Sequence, residues 1–161
     1  MAPVRFTVTH QFTQAPQVVW SEMVDWPSHG EWIPATRVEI DEGDPQAVGG
    51  MFTGYTGYGP LMLVDHMRIS EIDFDTESGH GRCVVDKLGP VLKGTAGFTI
   101  EPSGSGTELE WFEDVTVPYL PGFLAPVVNK MSALGFAQGM RKLAKKMDGA
   151  EQTTADSPTV T

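Results

Sequence analysis

The sequence predicts an α+β domain in which a curved antiparallel sheet of about seven strands closes on one long C-terminal helix around an apolar pocket. Three observations predict it. A strand-like segment precedes two short helical ones. About six further strand-like segments follow, separated by short turn signals. Only the last periodic stretch is helical for long enough to cover a sheet face. Residues 1–148 read as the domain. Residues 149–161 lack apolar periodicity and read as a disordered polar tail.

Each element has its own local signal. Val4, Phe6 and Val8 alternate with Arg5, Thr7 and Thr9, the pattern of a strand with one buried face, and His10 and Phe12 continue that parity. Ala15-Pro16 opens a short helix carrying Val18, Val19, Trp20 and Met23, since proline lacks only an N–H that the first turn leaves unpaired. Asp25-Trp26-Pro27 reads as the cap of a second short helix that stops before Pro34. Strands are then expected over 38–41, 51–58, 61–72, 82–88, 91–101 and 107–117, with Gly59-Pro60, Gly89-Pro90 and the run 102–106 among the turn signals. The chain turns helical after Pro121-Gly122, with Pro126 in the first turn and Gly149 as the expected stop.

The totals exclude several classes. A 40% hydrophobic content suits a packed domain rather than a disordered chain. No apolar run approaches the roughly 20 residues of a membrane span. The formal charge of -10 repels phosphate backbones and anionic lipid heads, so no nucleic-acid partner is expected. The N-terminus shows no charged segment leading into an apolar one. With Cys83 as the one cysteine, the expected location is cytoplasmic. Lys130, Arg141, Lys142, Lys145 and Lys146 gather in the last helix, either because cations favour the negative end of the backbone dipole or as a small basic patch that meets membranes or a partner.

The order of several motifs resembles a known superfamily. They are an N-terminal strand, Ala15-Pro16 followed by Val19-Trp20, Asp25, Trp32-Ile33-Pro34 and Val48-Gly49. Gly94, Pro102, Thr107, Leu109, Trp111 and Glu113 then precede the terminal helix. In this order they are similar to the START-like (SRPBCC) superfamily of the birch-pollen-allergen fold. The nearest branch is the polyketide cyclase/dehydrase and lipid-transport group, and the resemblance spans roughly residues 3–148. It implies a helix-grip fold. It does not select a function, because that superfamily includes carriers, receptors and enzymes.

Parity nominates the pocket wall. In 107–117 the apolar face is Leu109, Trp111, Glu113, Val115 and Val117, which sets Glu113 among apolar neighbours. In 61–72, Leu63, Asp65 and Met67 share a face, so Asp65 also points inward. In 91–101 the inner set holds Leu92, Gly94, Ala96 and Phe98, where the two small residues leave volume. Trp32, Phe52 and Tyr58 are further candidates. On the terminal helix, Leu124, Val127 and Met131 lie on one stripe with Val128 and Leu134, expected to face the cavity, and Phe123 precedes it. Phe136, Met140, Leu143 and Met147 form a second stripe, expected either on the sheet end after a bend near Gly135 or on another subunit, which leaves a homodimer open.

Asp65 and Glu113 are the candidate catalytic groups. A buried carboxylate without a partner has a raised pKa and can serve as a general acid or base, although hydrogen bonding or a place at the wet rim would make either one structural. His10 reads as a satisfied core histidine and Cys83 as inert. No metal site or cofactor is expected, because the four histidines are dispersed. The leading expectation is a carrier or sensor of a hydrophobic small molecule, such as a lipid, an acyl chain or a polyketide-like ring system. The alternatives are an aromatase/cyclase or dehydratase using the inward carboxylates, and an interaction protein whose cavity its own side chains fill.

Overall fold

A computed structural model describes residues 2–118 and 120–155. Among them, seven strands form one sheet: β1 (Ala2–Phe12), β2 (Thr36–Glu42), β3 (Met51–Thr56), β4 (Leu63–Phe74), β5 (Gly81–Leu88), β6 (Lys93–Ser103) and β7 (Gly106–Val117). The spatial order is β1-β7-β6-β5-β4-β3-β2, and every neighbouring pair is antiparallel. Strands β2 to β7 are therefore a meander, as the short turns between them require. β1 returns to pair with β7 along its whole length.

The segment between β1 and β2, the two edge strands, must cross from one side of the sheet to the other. It does so through α1 (Pro16–Met23), a 3-10 turn at Trp26–Ser28 and α2 (His29–Trp32). Pro16 stands at the start of α1. Asp25 does not cap through its side chain. Its carbonyl instead accepts the Ser28 N–H and hydroxyl, at 3.0 and 2.8 Å. The alternations in β1, β4, β6 and β7 put the expected faces inward, and register shifts after Ile40 and Ile69 bend the sheet locally.

The long helix α3 (Ala125–Ala155) corrects two expectations. The stripe Leu124, Val127, Met131 and Leu134 faces outward, with Met131 68% exposed, whereas Met140, Leu143 and Met147 are buried. One inward line runs through Ala125, Ser132, Phe136, Met140, Leu143 and Met147, half-buried at Ser132 and Phe136 and buried at the others, so no change of face near Gly135 is needed. Gly139 sits where a Cβ would lie 3.2 Å from both the Trp32 ring and its carbonyl oxygen, so its smallness lets α3 rest on α2. The second correction is the helix end. Gly149 is a mid-helix glycine, tolerated at a cost of about 1 kcal/mol. The turn around it is tied to the end of β1: Thr13 Oγ1 and Gln14 Nε2 donate to Asp148 at 2.9 and 2.8 Å, and Gln14 Nε2 also reaches Glu151 at 3.3 Å. The rest of the expected tail, 156–161, lies outside the described residues.

Packing differs along α3. Its C-terminal half buries Met140, Leu143 and Met147 in one cluster with Val19, Trp20 and Met23 of α1 and Phe98, Ile100 and Leu109 of the sheet. Further toward its N-terminus the inward residues are smaller, and the space between helix and sheet stays hollow.

Candidate functional site

The hollow is a cavity of about 250 Å³. The sheet supplies most of its wall: Val38 and Phe52 at one side, Leu63, Asp65 and Met67 from β4, Cys83, Val85 and Lys87 from β5, Ala96 and Phe98 from β6, and Trp111 and Glu113 from β7. Leu92 completes the turn side. Trp26 and His29 close it from the β1–β2 crossing, and Ser132 and Phe136 from α3. Its aromatic wall is ordered by stacking. Trp26 lies 4.2 Å from Phe52, and Trp111 lies 4.8 Å from Phe136 and 6.3 Å from Phe98, between ring centroids.

Set into this apolar wall are three charged side chains. Lys87 Nζ forms an ion pair with Asp65 Oδ2 and lies 3.9 Å from Glu113 Oε1. The side chains are only 5%, 9% and 11% exposed for Lys87, Asp65 and Glu113. Register explains how they meet. Lys87 pairs with Met67 of β4 on one side and Gly94 of β6 on the other, while Glu113 pairs with Ala96. Between β5 and β7, the inner face of β6 therefore presents only a glycine and an alanine, and nothing larger separates the ammonium from the carboxylate. Gly94 also has a backbone reason: its φ is +138°, and a Cβ there would come 2.2 Å from the Asp114 carbonyl oxygen. Its smallness serves close strand approach, and Ala96 is the small residue that opens the cavity.

The electrostatics follow from burial and pairing. Burial opposes the Lys87 charge, but Glu113 and Asp65 together more than offset it, so the lysine pKa lies above its ordinary value. Burial raises the Glu113 pKa, and Asp65 adds to that. Lys87 and Trp111 oppose it without cancelling it. Asp65 Oδ1 is buried with no hydrogen-bond partner, so this polar atom of the wall is left unsatisfied by the protein, while the Trp111 indole N–H is turned toward the Glu113 carboxylate.

Two other titratable groups line the cavity, and both are uncharged at neutral pH. His29 is pushed down to about 4, chiefly by burial, against the favourable effect of the Met23 carbonyl and of Asp25 and Glu22. Its Nε2 lies 2.8 Å from the Met23 carbonyl oxygen, which can only accept, so Nε2 bears the proton. Burial and then Glu71 push the Cys83 thiol up to about 12.

Of the sequence-nominated residues, Phe52, Leu63, Asp65, Met67, Leu92, Phe98, Trp111 and Glu113 come together at the cavity. Trp32 is buried, but it packs against Gly139 instead of lining the hollow. Tyr58 and Phe123 are each 79% exposed, Leu124 is exposed in the 3-10 turn before α3, and Val127 and Met131 point away on the outer face of α3. The stripe reading failed for the first turns of the helix because there the outward side carries Val127 and Met131, while Ala125 and Ser132 on the inward side are small. Sequence reasoning missed Lys87 and His29. Lys87 had a readable signal: Cys83, Val85 and Lys87 share one parity in β5, and the apolar first two mark it as inward. His29 had none, because a 3-10 turn turns its ring inward.

A seven-stranded antiparallel sheet, two short crossing helices and a long terminal helix closing on a hollow define the helix-grip fold. The family model described as "Polyketide cyclase / dehydrase and lipid transport" matches residues 3–148, and this chain belongs to that family. The fold is shared with solved structures of low sequence identity. A Thermus thermophilus protein is 14% identical with a TM-score of 0.69, covering 92% of this chain and 98% of its own. A START superfamily protein from Mycobacterium smegmatis is 16% identical with a TM-score of 0.67, covering 91% and 98%. An aromatase/cyclase from a Streptomyces species is 13% identical with a TM-score of 0.62, covering 89% and 94%. Among curated proteins none matches significantly. Among the described residues no helix is long and apolar enough to cross a membrane.

Proposed function

We propose that this protein binds a hydrophobic small molecule in the cavity between the sheet and α3. The observation that carries the reading is the hollow itself, about 250 Å³ with an aromatic and aliphatic wall and a single charged cluster. A dry cavity of about 150 Å³ holds benzene, so this one suits a ligand on the order of ten heavy atoms, such as a bicyclic ring or a medium acyl chain. Apolar burial supplies the affinity, and the Lys87–Asp65–Glu113 cluster fixes orientation. An interaction protein with a side-chain-filled core is disfavoured by a hollow of this size. A single, buried cysteine supports a cytoplasmic setting.

The same cluster favours a second reading, an aromatase/cyclase or dehydratase. Glu113, held toward its protonated form by burial against the pull of Lys87, could give a proton to a ligand carbonyl or leaving hydroxyl, and the Asp65 oxygen could take one.

Native mass spectrometry of freshly purified protein, followed by organic extraction, tests the binding reading. A discrete added mass that is lost on denaturation is expected. Bare protein that also takes up no neutral aromatic probe would contradict it. Turnover separates the two readings: Glu113→Gln keeps binding in both, and abolishes a reaction only in the second.

A further inference from the structure

The charge count of the cavity carries a statement about the ligand's polar end. It rests on the small-molecule reading above. Among the described residues, five titratable groups stand in the wall; His29 and Cys83 are neutral, which leaves one cation, Lys87, and two acids, Asp65 and Glu113. The site is therefore net negative with Glu113 ionised and neutral with Glu113 protonated, and in neither state does it hold a surplus positive charge. The one cation is already committed: Lys87 is paired with Asp65 and faces Glu113 at 3.9 Å.

An anionic ligand would thus enter a buried site in which no cation is free to neutralise it. Burying an unpaired carboxylate is strongly unfavourable. What the wall lacks is a donor for Asp65 Oδ1, a buried acceptor on a side chain that is only 9% exposed. A purely apolar ligand would leave that oxygen unsatisfied, at a cost. A hydroxyl supplies the missing donor, brings no charge, and can in turn accept from Lys87.

We propose that the cavity selects an uncharged hydroxylated ligand, an alcohol, enol or phenol on an apolar body, whose O–H is taken by Asp65, and that it rejects carboxylates and phosphates of the same shape. The geometry distinguishes this from a fatty-acid site, where a surplus arginine or lysine would meet the head group.

Calorimetric titration of the full chain at pH 7 with naphthalene, 2-naphthol and 2-naphthoate tests it. The bodies match, and only the naphthoate is charged, because phenols titrate near 10. 2-Naphthol is expected to bind about ten-fold tighter than naphthalene and at least about a hundred-fold tighter than 2-naphthoate. 2-Naphthoate equal to or tighter than 2-naphthol would overturn the selection and leave the small-molecule reading intact. 2-Naphthol no tighter than naphthalene would overturn the role of Asp65. Failure of all three to bind would overturn the small-molecule reading and the selection with it. The variant Asp65→Asn/Glu113→Gln leaves Lys87 as the sole charge, and is expected to raise 2-naphthoate affinity about ten-fold and reverse the preference. The wild-type comparison stands whether or not that variant folds.

Discussion

Lys87 and Glu113 stand 3.9 Å apart across an intervening strand, because β6 offers only Gly94 and Ala96 between them. This relationship, with the Lys87–Asp65 pair, places one cation between two acids in an apolar wall. Removing the cation leaves two buried carboxylates with nothing to balance them. Lys87→Met is expected to cost about 3–5 kcal/mol in urea denaturation at pH 7, and Lys87→Met/Asp65→Asn to recover most of that loss. A Lys87→Met variant as stable as wild type would mean that the cluster is solvated.

His29 gives the fold a definite acid sensitivity. Its folded pKa of about 4 lies below the ordinary 6.5, so the unfolded chain takes up a proton over a pH range in which the folded chain does not. The stability it contributes is fully present above pH 6.5 and is lost as pH falls toward 4. The full loss corresponds to roughly 3 kcal/mol. His29→Gln keeps an N–H for the Met23 carbonyl and has no proton to gain. Denaturation at pH 7 and pH 4.5 is expected to show a smaller acid loss for the variant than for wild type. Equal losses would mean that His29 titrates normally.

The two faces of α3 differ sharply in cost. Met131 is 68% exposed and Met140 is fully buried. Met131→Lys is expected to change stability by no more than about 0.5 kcal/mol, whereas Met140→Ala costs about 2–5 kcal/mol. Thermal or urea unfolding of the two variants checks this, and the reverse order would put the helix the other way round.

Strand parity made much of this architecture legible. Asp65 and Glu113 could be placed inward from their apolar neighbours alone, because a side-chain period of two leaves no choice once one face is buried. What parity cannot give is register. Nothing local shows that Lys87 lies beside Gly94, or that Glu113 lies beside Ala96, so the meeting of the three charges was hidden. The helix misled for a different reason. Hydrophobicity marks the face that avoids water in an ordinary core, but here the inward face over the cavity carries Ala125 and Ser132 while Val127 and Met131 are exposed. Gly149 looked like a stop, and side chains from the far end of β1 hold its turn in the helix.

Methionine methyl resonances report whether a ligand sits in this cavity. Met67 lines the wall, and Met131 lies on the outer face of α3. Titrating methyl-labelled protein with 2-naphthol is expected to shift the Met67 signal by ring current and leave Met131 unmoved. Ala96→Leu, which fills the floor beside Glu113, is expected to abolish the shift while the protein stays folded. A saturable shift at Met131 with Met67 unchanged, or no shift at either, would mean that the cavity does not take the ligand.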